Sequence, residues 1–231
     1  MNDSGYNGHF VKKTMFRVEI DCGHGKSTPN KRSVDANLGL TDSPYYLLEY
    51  KFNRELGKLL EKKLLDIGFQ VNFTVNPDDD TDISLKDRYT RANEDQKNHP
   101  DCKCIFVSIH ANAAGNGLEW KSARGFSVYT TKGENNSDIL ADCVLKVAQE
   151  ELPKYKQKIR IYKNEYMKLD WEENFTVIYG AAMPAILVEN MFMDNKQDVL
   201  FLNSEEGKNV LANIITKGIV DYFGLKYPFE I

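Results

Sequence analysis

The chain has 231 residues, of which 42% are hydrophobic and 28% charged, and its formal net charge is −4. This balance is ordinary for a globular protein with a sizeable core, and it gives no reason to expect nucleic acid or an anionic membrane as a partner. No apolar stretch approaches the ~20 residues of a membrane-spanning helix, and the first nine residues lack the pattern of a signal peptide.

Alternating strands and helices are predicted along the chain. Period-two alternation marks the strands, and apolar residues three and four apart mark the helices. A Ser43-Pro44 start and a Gly68 stop bound the first long helix. The elements predicted in chain order are strand 15–20, helix 45–67, strand 69–74, helix 84–93, strands 105–109 and 126–130, helix 138–151, strand 185–188 and helix 205–223.

Strands separated by helices predict an α/β fold in which a mainly parallel, twisted sheet carries helices on both faces. We find no internal repeat, low-complexity tract or linker. The sequence therefore predicts a single domain over 15–224, with a polar tail at 1–14 and a short tail at 225–231. The polar stretch 153–174 predicts a loop or the rim of a site.

The four cysteines predict free thiols. Cys102 and Cys104 are two residues apart at the start of a predicted strand, where a bridge between them would be badly strained. With Cys22 and Cys143 they form neither a disulfide framework nor a paired zinc cage. Buried thiols are the expected state of such residues.

Three predicted strands each run into a residue that can bind or serve a metal. His24 follows the first strand within Asp21-Cys22-Gly23-His24-Gly25, His110 ends the strand after Ser108-Ile109, and Glu189 closes the strand after Val188. Ligands bind at the carboxyl ends of the strands in open α/β sheets. Two histidines and a carboxylate at that edge are most of a hydrolytic zinc site.

The third ligand is less clear from the residues alone. Glu49 lies early in the predicted helix after the His24 loop, and a carboxylate there either binds metal or interacts with the helix N-terminus. Glu189 is either a partner of a lysine or arginine or a general base, and its position at a strand end favours the base. His9 and His99 lie in polar surroundings and are expected to be surface residues.

In order and spacing, the motifs resemble those of the zinc-dependent N-acetylmuramoyl-L-alanine amidases of the type-3 class. The resemblance runs from about Phe16 to about Phe223. The matching segments are Asp21-Cys22-Gly23-His24-Gly25, Glu49 with Asn53, Ser84-Leu85 with Arg88 and Ala92-Asn93, Ser108-Ile109-His110-Ala111-Asn112, Gly125-Phe126 with Val128-Tyr129, and Pro184-Ala185-Ile186-Leu187-Val188-Glu189 with Asn195.

The resemblance implies one Zn²⁺ per chain held by His24, Glu49 and His110, with Glu189 as the catalytic glutamate. It implies hydrolysis of the amide between N-acetylmuramic acid and L-alanine, with peptidoglycan or muropeptides as the partner. Cys22 and Asn190 replace residues that are common in the family, and Val75 follows Thr74 where arginine is usual. These departures put substrate preference in doubt and leave the reaction in place.

Two other functions compete with this interpretation. A carboxypeptidase-like zinc peptidase would bring a His-x-x-Glu pair, but Ser27 stands three residues after His24. A non-catalytic peptidoglycan-binding protein on the same fold would be expected to have lost at least one of the four key residues. The absence of a visible signal peptide fits a phage-type lysin or an exported enzyme whose leader has been trimmed.

Substrate contacts are expected from the loops at the strand ends, over 76–82, 113–124 and 153–174. Asn112, Trp120 and Trp171 are the candidates for substrate binding, although the two tryptophans could equally be structural. A monomer is the default expectation for the oligomeric state.

Overall fold

The computed structural model describes residues 15–161 and 169–226. It contains six strands, which are β1 (Met15–Cys22), β2 (Gln70–Phe73), β3 (Cys102–Asn112), β4 (Ser127–Thr130), β5 (Trp171–Glu172) and β6 (Ala185–Phe192). Its seven α-helices are α1 (Val34–Asn37), α2 (Glu49–Asp66), α3 (Leu85–Asn98), α4 (Asn136–Glu151), α5 (Thr176–Tyr179), α6 (Lys196–Asn203) and α7 (Glu205–Tyr222). A 3₁₀ helix, Leu152–Tyr155, continues α4.

The six strands form one sheet in the order β2-β1-β3-β6-β4-β5. β2, β1, β3 and β6 are mutually parallel, whereas β4 pairs antiparallel with β6 and parallel with β5. The α/β fold with a mainly parallel sheet is therefore confirmed. The three central strands β1, β3 and β6 are adjacent, so their carboxyl ends meet at one edge of the sheet.

Helices cover both faces of the sheet. On one face α2 and α4 both pack against α7, and α2 also contacts β1 and β3. On the other face α3 and α5 contact each other and the sheet. β1, β3 and β6 are consequently buried on both sides, which explains the long apolar runs of β3 and β6.

Side-chain caps set several helix starts. Ser84 accepts a hydrogen bond from the Asp87 backbone N–H at the start of α3, as its spacing predicts. Asn135 and Asp138 form a complete capping box on α4. The helix therefore begins at Asn136, two residues before its predicted start. The predicted 45–67 helix is shorter than expected, because α2 begins only at Glu49 and Leu48 provides no side-chain cap.

The remaining predictions differ in their outcomes. The sequence did not predict α1, α5, α6 or β5, each of eight residues or fewer. The four cysteines are free, as predicted. The proposed tail 1–14, with His9, lies outside the described residues, and so do the middle of the 153–174 stretch and the end of the 225–231 tail.

Candidate active site

The sheet brings together the residues predicted at three strand ends. His110 and Glu189 are direct neighbours in the register of β3 and β6, and Cys22, two residues before His24, pairs with Ile109. The regular register breaks just after His110, where β3 and β6 are irregular and Met191 has a φ of 65°. Two histidines and a glutamate thus share one end of the central strands.

His24 lies in a strained turn that depends on close backbone approaches. The left-handed conformation belongs to His24 itself, with a φ of 65°, and not to the flanking glycines. Gly23 is required because an added Cβ would stand 2.1 Å from the His110 ring. Gly25 is required because a Cβ would stand 2.5 Å from the Asp82 backbone nitrogen.

Glu49 is the first residue of α2 and is fully buried between the two histidines. Its Oε1 atom lies 3.1 Å from His110 Nδ1 and 3.4 Å from His24 Nε2, and it accepts a hydrogen bond of 3.1 Å from the Ala111 N–H. The two imidazole rings meet edge to face at 4.8 Å between centroids.

The three residues could hold a metal ion. His24, Glu49 and His110 each offer one ligand atom, and these atoms lie within 4.8 Å of one another. His24 Nε2 and Glu49 Oε2 are buried without a hydrogen-bond partner among the described residues. Buried polar atoms of this kind are costly unless something else binds them. Two imidazoles and a carboxylate are also the donor types that catalytic zinc takes.

The electrostatics of the cluster distinguish its members. Burial lowers the pKa of His24, and this effect outweighs the opposing influence of the nearby Glu49 carboxylate. For His110, burial also lowers the pKa, but the hydrogen bond and charge of Glu49 raise it more. Burial would raise the pKa of Glu49, yet its hydrogen bond with His110 and the proximity of His24 hold it well below its usual value. The carboxylate form of Glu49 is therefore strongly favoured.

Glu189 lies beside the cluster in a different state. Its Oε2 atom is buried without a hydrogen-bond partner among the described residues. Burial and the nearby charge of Glu49 raise its pKa to about 7, against the opposing influence of His110. A carboxylate tuned to this range can both accept and release a proton near neutral pH. The ion-pair alternative for Glu189 receives no support, because the described residues provide no salt bridge to it.

A buried polar network, which the sequence analysis did not predict, supports the His24 turn. Arg88 donates to Asp21 Oδ1 at 2.8 Å and to the Cys22 carbonyl at 2.7 Å. Thr74 and Ser108 each donate to Asp21 at 2.6 Å. Burial alone would raise the pKa of Asp21, but Arg88 and these hydroxyls lower it. Asp21, Arg88 and Ser108 lie within the matched motifs, and this was the signal by which the sequence could have identified them.

Two side-chain amides and one guanidinium hold the backbone around the histidines. Asn53, one turn after Glu49, donates to the Gly23 carbonyl at 3.0 Å, and Arg54 donates to the His24 carbonyl at 2.9 Å. Asn190, which replaces a threonine common in the family, donates to the His110 carbonyl at 3.0 Å. The departure at Asn190 therefore contributes to positioning His110.

The weaker substrate-binding candidates are engaged in local contacts. Trp120 meets Tyr45 edge to face at 5.6 Å, and the Trp171 indole donates to the Arg160 carbonyl at 3.0 Å. Asn112 accepts a hydrogen bond from the Ala113 N–H at 2.8 Å. Their role in substrate binding stays a prediction. A cleft of about 330 Å³ does open beside His24 and His110, with Thr28, Ile83 and Leu85 on its other walls.

The fold and the site together define a class of protein, an α/β domain with a candidate metal-binding cluster at the carboxyl edge of its sheet. The sequence profile of the N-acetylmuramoyl-L-alanine amidase family matches residues 18–221. The chain belongs to this family, which confirms the resemblance to the type-3 amidases.

Individual relatives agree with this assignment. The chain is 28% identical over 211 residues to an endolysin of Bacillus phage SPP1, a match that covers 90% of this chain and 66% of the endolysin. It is 26% identical over 206 residues to the probable cell wall amidase LytH of Staphylococcus aureus, covering 89% of this chain and 58% of LytH. The chain thus spans less than two thirds of the length of these curated relatives.

Solved structures share the fold. An N-acetylmuramoyl-L-alanine amidase from Clostridium difficile 630 superposes with a TM-score of 0.72 at 28% identity, covering 93% of this chain and all of that one. The catalytic domain of CwlV from Bacillus (Paenibacillus) polymyxa var. colistinus gives a TM-score of 0.70 at 26% identity, covering 92% of this chain and 100% of that one.

Among the described residues, no helix is both long enough and apolar enough to cross a membrane.

Proposed function

We propose that this chain is a zinc-dependent N-acetylmuramoyl-L-alanine amidase that hydrolyses the amide between N-acetylmuramic acid and the L-alanine of the stem peptide in peptidoglycan. The observation that carries the proposal is the convergence of His24, Glu49 and His110 beside Glu189, in a chain of this family. The named relatives, an endolysin and a cell wall amidase, support the bacterial cell wall as the place of action.

His24, Glu49 and His110 would hold the zinc ion. When bound, the ion supplies Lewis acidity, which polarises a carbonyl and makes a water molecule easier to deprotonate. The protein residues keep the donor atoms in place, because Asn53, Arg54 and Asn190 hold the backbone on both sides of the two histidines. Such support is what a metal ligand requires to keep its orientation.

Glu189 would carry the proton. It accepts a proton from the attacking water and delivers it to the leaving nitrogen as the C–N bond breaks. In the metal-free site burial raises the pKa of this carboxyl, which favours uptake of a proton from water. The substrate approaches along the cleft beside His24 and His110, where Thr28, Ile83 and Leu85 are available for contact.

The test is to incubate the purified, zinc-loaded protein with peptidoglycan and identify the released ends by mass spectrometry. The proposal expects free stem peptides with an L-alanine amino terminus and glycan strands with intact lactyl carboxylates. Cleavage within the stem peptide would indicate a peptidase instead, and binding without any cleavage would indicate a non-catalytic protein.

A further inference from the structure

One cation close to the His24, Glu49 and His110 cluster has no part in the mechanism so far. The Lys31 ammonium lies 4.0 Å from Glu49 Oε2. The two histidines contact the other carboxylate oxygen, Oε1. Its side chain is 39% exposed, whereas that of Glu49 is 1% exposed. Lys31 therefore reaches from the buried cluster to the solvent-facing side of the site.

The backbone of Lys31 is fixed beside Glu49. The Glu49 N–H donates to the Lys31 carbonyl at 3.1 Å, and the Ser33 N–H donates to the Leu47 carbonyl at 2.9 Å. Arg32 and Leu48 form the antiparallel bridge between these two bonds. Ser33 Oγ accepts a further hydrogen bond of 2.9 Å from the Leu47 N–H. This short ladder ties the start of α2 to the segment that carries Lys31.

The ammonium of Lys31 is available for a ligand. At 4.0 Å its contact with Glu49 is longer than a hydrogen bond, and within 15–161 and 169–226 its Nζ donates no hydrogen bond.

We propose that Lys31 is a further catalytic residue, whose ammonium binds the anionic oxygen that develops on the scissile carbonyl and then the lactyl carboxylate that hydrolysis creates. The inference rests on the proposed amidase function. In that reaction water supplies the oxygen of the new carboxylate, the C–N bond breaks, and the amine leaves with the proton that Glu189 carries. Negative charge therefore grows on the lactyl side, and a positioned cation there stabilises both the transition state and the product.

The test compares Lys31→Met with Lys31→Arg and with the matched control Lys51→Met. Lys51 is an exposed lysine on α2 whose contact is Glu55 at 4.0 Å, so its loss removes a charge without touching the cluster. Binding of N-acetylmuramic acid and of its neutral carboxamide is measured by calorimetry on the zinc-loaded proteins. Turnover of peptidoglycan and zinc content are measured in parallel.

We expect Lys31→Met to weaken binding of the acid about 10-fold or more while binding of the carboxamide changes little, the range of a hydrogen bond to a charged group. Its kcat should fall about 10- to 100-fold with an unchanged zinc content. Lys31→Arg should retain most of the affinity for the acid and most of the kcat, and Lys51→Met should match the wild type in both.

Several results would overturn the inference. Unchanged affinity for N-acetylmuramic acid in Lys31→Met is one such result. Loss of zinc from Lys31→Met is another, because it would show that Lys31 serves to position Glu49. An equal loss of affinity for the acid and for its neutral carboxamide would also contradict it, because the lost contact would not depend on the carboxylate. If the wild type itself cleaves no amide, the proposed function fails first, which the turnover of the wild type and Lys51→Met reveals separately.

Discussion

At the scale of single residues, the strand-end positions of His24, His110 and Glu189 were predictable because parallel strands deliver their last residues to one edge of a sheet. The local sequence pattern did not decide whether Glu49 binds a metal or interacts with the helix N-terminus. Its burial depends on where the ladder around Arg32 and Leu48 places the start of α2. The resemblance to the family supplied that residue, and long-range packing explains it.

The exchange of Glu189 for glutamine should separate binding from chemistry. Glu189→Gln retains shape but cannot take up a proton, so we expect normal zinc content and a loss of activity of about two to four orders of magnitude. His24→Ala should lose zinc and activity together. Metal analysis and amide hydrolysis on both variants check this, and an active Glu189→Gln enzyme would contradict the proposed role.

Glu19 gives a prediction about pH and stability. It lies buried on β1, where Asn72 donates to it at 2.7 Å and Arg17 approaches to 3.3 Å. Burial, reinforced by the charge of Asp95, raises its pKa from 4.5 to about 8. Between these two values the unfolded chain loses the proton that the folded chain keeps. Stability therefore falls as the pH rises from about 4.5 to about 8.

We expect Glu19→Gln to remove this loss, because glutamine does not ionise and its carbonyl can accept the bond from Asn72. Urea unfolding should show little change at pH 4 and a gain of at least ~1 kcal/mol at pH 8. The control Glu119→Gln concerns an exposed carboxyl whose pKa Lys121 lowers, so no such gain is expected. An equal change in both variants would refute the explanation.

At the scale of secondary structure, long periodic elements were predictable and short ones were not. The spacing of apolar residues predicted α2, α4 and α7, whereas α1 and α5 have four residues each and are too short for periodicity to register. The two-residue β5 forms by pairing with β4, on the side of β4 that faces away from β6. Such pairing depends on tertiary contacts and not on local sequence.

The contact between α7 and α4 leads to a prediction at Gly218. A Cβ there would stand 2.6 Å from the Cα of Val144, so the two helices are close at this point. Gly218→Ala would normally favour a helix by up to ~1 kcal/mol, but overpacking should reverse the sign and destabilise by about 1–3 kcal/mol. Thermal unfolding measures the outcome, and a stabilised variant would show that the helices separate easily.

At the scale of the whole molecule, the core and the site are largely independent. The main cluster of buried apolar side chains extends through both α2 and α7, well beyond the site residues. The family and the α/β architecture were predictable from ordered motifs, because these span most of the chain. The antiparallel β4 was not, since strand direction depends on how the chain crosses the sheet.

Removal of zinc should therefore lower the melting temperature without unfolding the protein. A ligand at 100 times its dissociation constant stabilises by ~2.7 kcal/mol, which for a domain of this size corresponds to a shift of roughly 5–10 °C. Circular dichroism at 25 °C should stay unchanged after chelation. His110→Ala should show no zinc-dependent shift. Unfolding of the wild type by chelator at 25 °C would mean that the metal organises the core.

The position of β6 has a consequence for how the molecule is made. β6 is the last strand in the chain, yet it lies between β3 and β4 in the sheet. A nascent chain that ends before Ala185 holds β2-β1-β3 and β4-β5 as two separate groups of strands. The arrival of β6 joins them, and the same strand delivers Glu189 to His110. The candidate active site would thus become complete only when assembly of the sheet is complete.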